Sequence, residues 1–68
     1  MSEDEAIRKA SAYAERHGYA PAQYDVSAGY VEGTWRVSFQ GRELRPGNFF
    51  TVVVNDASGA VKKLVPGK

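Results

Sequence analysis

Thr34-Trp35-Arg36-Val37-Ser38-Phe39-Gln40 and, after a loop, Phe49-Phe50-Thr51-Val52-Val53-Val54-Asn55 decide the fold of this chain. The first stretch alternates apolar and polar side chains, the period of a strand with one buried face. The second is a denser run of β-branched and aromatic residues, suited to a central strand. Placing Phe39 opposite Phe50 sets Val37 against Val52 and Trp35 against Val54. Every large apolar residue of the first stretch then shares one face with a partner on the second.

Upstream, residues 23–31 alternate in the same way, with Tyr24, Val26, Ala28 and Tyr30 on one face. Glu32-Gly33 is a two-residue turn, a weaker form of the Asn-Gly signal. It pairs Val31 with Thr34, and so Tyr30 with Trp35, Ala28 with Val37 and Val26 with Phe39. Downstream, Asn55-Asp56-Ala57-Ser58-Gly59 is a turn with Gly59 placed for positive φ. A short last strand follows over 60–65. Its register is open: Val61 and Val65 face inward in one alignment, Ala60 and Leu64 in a bulged one.

The chain begins with a helix. Ser2 and Glu5 have capping-box spacing, and Glu3, Asp4 and Glu5 suit the positive end of the helix dipole. Ala6, Ala10 and Ala14 make a small-residue face over about 3–17 that can lie close on a sheet. Gly18 and Pro21 end the helix. The predicted architecture is α+β, one domain over 1–68. One N-terminal helix packs on a four-stranded antiparallel meander, with strands about 23–31, 34–40, 48–55 and 60–65.

Composition narrows the function. A chain of 68 residues hides only about 60% of its unfolded surface, so the aromatic residues are needed for the core, Trp35 foremost. There is no cysteine, which excludes disulfides and thiolate metal sites. Nine Lys+Arg against eight Asp+Glu give a net charge of +1, too balanced for a general nucleic-acid binder. No apolar run reaches the ~18 residues of a membrane span, and no signal peptide is legible. The chain reads as cytoplasmic, or as periplasmic or secreted if it is a trimmed form of an exported protein.

No residue set points to a cofactor, a metal or a catalytic group. His17 is the only histidine. Its pairing with Asp25 as an acid–base couple competes with a plain role at a helix C-terminus, favoured by the dipole, and no nucleophile accompanies it. Asp25 and Asp56 lack metal-ligand spacing, and Asp56 is accounted for by its turn. The aromatics Tyr24, Tyr30, Trp35, Phe39 and Phe50 would suit nucleic-acid stacking, but they fall on the face assigned to the helix.

Binding residues are sought on the other face and in the loop. Phe49, Val53 and Val31 stand on a sheet face that no second layer of the chain covers, beside Arg36. The competing reading is shielding by long side chains such as Arg36 and Lys62. In the 41–47 loop, Arg42, Leu44 and Arg45 have the character of interface anchors.

Five runs, Glu5-Ala6-Ile7-Arg8-Lys9-Ala10, Tyr24-Asp25-Val26, Gly33-Thr34-Trp35-Arg36-Val37-Ser38-Phe39, Gly47-Asn48-Phe49-Phe50-Thr51-Val52-Val53-Val54 and Ser58-Gly59-Ala60-Val61, carry a resemblance. The chain resembles PepSY-type domains and the small immunity proteins of the cystatin-like, nuclear-transport-factor-2 fold. The resemblance implies a helix laid on an antiparallel sheet. It also implies action by binding: peptidase regulation in the first case, toxin neutralisation in the second. The leading expectation is therefore a small non-enzymatic module that inhibits a protein partner through the open sheet face and the 41–47 loop. A homodimer built on the open face and a small-ligand binder are the alternatives.

Overall fold

The computed structural model describes residues 1–42 and 48–67. One helix, α1 (Glu3–Arg16), leads through a single 3-10 turn, Pro21–Gln23, into four strands: β1 (Tyr24–Val31), β2 (Thr34–Gly41), β3 (Phe49–Asn55) and β4 (Val61–Pro66). They form one antiparallel sheet in the order β1-β2-β3-β4. This is the α-β-β-β-β meander expected, with element ends displaced by a residue or so.

Helix ends follow their local chemistry. The Ser2 hydroxyl accepts the Glu5 N–H at 3.2 Å, which satisfies one of the unpaired donors of the first turn. At the other end Gly18 takes φ 87°, the left-handed conformation that L side chains resist. The Gly18 N–H then donates to the Glu15 carbonyl at 3.1 Å and the Tyr19 N–H to the Ala14 carbonyl at 3.0 Å, a Schellman closure. That closure delivers the Tyr19 ring onto Phe50, with centroids 4.1 Å apart.

The expected pairings hold between β1 and β2 and between β2 and β3. Val26 meets Phe39, Ala28 meets Val37 and Tyr30 meets Trp35; Phe39 then meets Phe50, Val37 meets Val52 and Trp35 meets Val54. The Glu32-Gly33 turn has φ 47° and 76°, as a twist-matched two-residue hairpin requires. Ala6, Ala10 and Ala14 close on Val37, Phe39, Phe50, Val52 and Val54, all buried. The Phe39 and Phe50 rings stack at 4.6 Å, and Tyr24 meets Phe50 edge-on at 5.1 Å. Alanines on the helix leave room for these rings on the sheet.

Two expectations are corrected. The bulge lies opposite Val53 and Val54, so that Val61 faces Val54 and Leu64 faces Val52. Val61 and Leu64 therefore both point inward, a combination of the two alignments left open, while Val65 pairs with Thr51 on the outer face. Trp35 is half-buried at the margin of the core and not among its fully buried residues; Phe39 and Phe50 hold that place. The indole of Trp35 reaches out from the core to a polar partner.

Candidate functional site

The sheet face opposite α1 has no covering layer among the described residues. Cross-strand register places its residues in rows. Gly29, Arg36, Val53 and Lys63 form one row, and Ser27, Ser38, Thr51 and Val65 form the next. Asp25, Gln40 and Phe49 lie beyond, and Val31, Thr34 and Asn55 stand at the opposite end.

A hollow of about 610 Å³ lies in this face toward the β1–β2 turn. Val31, Val53 and Val65 supply its apolar surface, Thr34 and Thr51 its hydroxyls, and Arg36, Lys62 and Lys63 its cations. Among the described residues Glu32 is the one acid that lines it. The β4 bulge helps to make it. An extra residue on β4 lets both Lys62 and Lys63 border the hollow while Val61 and Leu64, partly buried, pack against the core.

The structure divides the residues that the sequence grouped. Val31, Arg36 and Val53 come together in the hollow. Val53 is only 9% exposed, because Arg36 and Lys63 flank it in the register and their aliphatic stems can cover a central valine. Phe49 lies about 13 Å along the strand from Val53 at its usual rise and keeps 47% exposure. Its carbonyl accepts the Gly67 N–H at 2.7 Å. Its ring carbons would stand 2.8 Å from a Cβ placed on Gly67, so the glycine lets the chain pass close over the ring. Arg42 is at that same far end. Its Nε donates to the Asp25 carboxylate at 3.3 Å, an exposed pair of little energetic weight. Leu44 and Arg45 lie outside the described residues, as does most of the 41–47 loop.

Lys63 and Val65 were not singled out from the sequence as site residues. Their signal was the alternation of β4, unreadable until the bulge fixed which residues face outward. His17 does not pair with Asp25: its ring packs on Tyr13, centroids 4.3 Å apart, at the end of α1. Tyr24, Phe39 and Phe50 lie on the helix side, so among the described residues the open face carries Phe49 and no aromatic row.

Asp56 has a larger role than its turn. One carboxylate oxygen accepts the Trp35 indole N–H at 2.7 Å and the α-ammonium of Met1 at 3.1 Å. The indole hydrogen bond first, then the ammonium, hold the Asp56 carboxyl below its ordinary value. Among the described residues no cluster of His, Cys, Asp or Glu is arranged to hold a metal ion, and no helix is long and apolar enough to cross a membrane.

No protein-family model, no curated protein and no solved structure matches the chain.

Proposed function

We propose that this chain is a small non-enzymatic protein-binding module. It recognises an acidic surface of a partner protein through the uncovered sheet face and restrains that partner by occupying the surface. The observation that carries this reading is the hollow, where Val31, Val53 and Val65 are joined by Arg36, Lys62 and Lys63 against one acid among the described residues. Apolar contact gives affinity, and cations at the rim speed encounter with a negative partner and reject a positive one. Apart from Glu32, the described lining groups offer hydrogen-bond donors and methyl groups, a set suited to recognising an acidic surface. The resemblance to PepSY-type domains and immunity proteins favours a peptidase or a toxin as the partner class. The same cations weigh against a homodimer built on this face, since a twofold there would bring like charges together.

The test compares tagged wild type with an Arg36→Glu/Lys63→Glu double variant. Each is incubated with a lysate of the source cell, and the retained proteins are identified and purified for titration. A partner is expected that binds wild type with an affinity falling as salt rises, and that binds the double variant at least about tenfold more weakly, the loss of roughly 1.4 kcal/mol. Equal retention by both forms, or binding insensitive to salt, refutes the reading.

A further inference from the structure

The two edges of the sheet are built differently. β4 carries devices that discourage a further strand: Lys62 and Lys63, a bulge opposite Val53 and Val54, and Pro66 at its end. β1 has none of these. It runs from Tyr24 to Val31 without bulge, lysine or proline, and its one charge, Asp25, is engaged by Arg42.

The Glu32-Gly33 turn fixes which backbone groups of β1 are already used. A two-residue turn with positive φ at both positions makes Val31 and Thr34 a hydrogen-bonded pair. The Asp56 N–H donates to the Gly33 carbonyl at 2.9 Å, which independently turns the backbone groups of Thr34 toward β1 rather than β3. Counting back, Gly29, Ser27 and Asp25 also bond to β2. The N–H and carbonyl groups of Val26, Ala28 and Tyr30 therefore point off the edge, as does the carbonyl of Tyr24, whose N–H is taken by Pro21. The same residues carry the helix-side face outward, and Tyr30 is left 53% exposed at its margin.

We propose that β1 pairs antiparallel with β1 of a second copy of this chain, giving one sheet continuous across both. Residues opposed in an antiparallel pair share a face, so even-numbered residues must meet even-numbered ones. A twofold centred on Ser27 or on Ala28 achieves this. In both alignments the outward groups of Val26, Ala28 and Tyr30 meet outward groups of the second copy, and Asp25 meets Gly29 or Val31 rather than itself. Tyr30 then lies opposite Tyr24 or Val26 of the second copy, which extends the apolar face across the junction. The symmetry sets both helices on one side of the sheet and both hollows on the other. The dimer would thus present a doubled binding face, and its existence does not rest on what the hollow binds.

Ser27 is exposed and stands beside the twofold in either alignment. Ser27→Lys and Ser27→Asp each bring like charges together in the dimer and leave the monomer's own ladder intact. Sedimentation equilibrium over a range of concentrations should give wild type twice the mass of one chain and either variant alone half of that. Equal amounts of the two variants, mixed, should restore the dimer. Amide exchange at Val26, Ala28 and Tyr30 should be slow in wild type and fast in Ser27→Lys. A monomeric wild type overturns the proposal. So does a dimer that survives in both variants, or a mixture that stays monomeric while each variant keeps its folded circular dichroism.

Discussion

Asp56 shows how one side chain can serve two levels of structure. The Asn55–Gly59 segment needs turn-forming residues for its backbone: Gly59 takes φ 72°, and the Asn55 side chain accepts the Ser58 N–H at 3.0 Å. Asp56 meets that local need and also receives the Trp35 indole and the Met1 ammonium on one oxygen. Its turn role was legible in the sequence because turn chemistry is local. Its tie to Trp35 and Met1 was not, because those partners lie far away along the chain and meet it only after the sheet is assembled. The pH dependence follows. A carboxyl held below its ordinary value contributes stability that is fully present above the unfolded value of about 3.9 and is lost as pH falls through the lower folded value. Asp56→Asn keeps an acceptor for the indole and removes the charge. The variant should therefore be less stable than wild type at neutral pH, with the difference closing below the folded Asp56 value. Urea melts at a series of pH values from 7 to about 2 would read this. Parallel curves for the two proteins would mean that Asp56 is not the titrating group.

The β1–β2 pairing was legible because two rules agreed: alternation assigned the faces, and the two-residue turn set the register, so Val26–Phe39 could be aligned without coordinates. Phe39–Phe50 had no short turn behind it and followed from matching the apolar faces of β2 and β3 alone. β4 lacked that agreement. Its alternation breaks at Lys62, and an odd residue in a strand does not declare where the bulge falls; the packing of Val61 and Leu64 on the core decides it. The same gap hid the site's outward residues Lys63 and Val65. The β1–β2 turn retains a local conflict that can be relieved. Glu32 sits at φ 47°, a region unfavourable to most side chains and tolerated by asparagine. Glu32→Asn should stabilise the protein by up to about 1 kcal/mol, raising the urea midpoint at unchanged slope. A lower midpoint would show that the Glu32 side chain contributes more than its backbone costs.

At the scale of the molecule the margin is narrow, and it is concentrated on one side of the sheet. A domain of this length has a total stability of about 3–10 kcal/mol by the usual per-residue range, with no disulfide to supplement it. α1 covers the face that holds Phe39 and Phe50, while the open face adds Val53 as its buried apolar residue. That asymmetry leaves an accessible hollow, and it makes the aromatic cluster indispensable. Phe50 is 1% exposed and touches three other rings, stacked with Tyr19 and Phe39 and edge-on to Tyr24. Truncating such a ring costs about 3–5 kcal/mol, since the alanines of α1 cannot expand into the space it leaves. Phe50→Ala should therefore be largely unfolded at 37 °C, with its near-ultraviolet circular dichroism lost. Trp35→Ala removes a half-buried ring at the margin and should remain folded at reduced stability. If Trp35→Ala proves the more damaging, the weight of the fold lies in the Trp35–Asp56 tie and not in the rings under the helix.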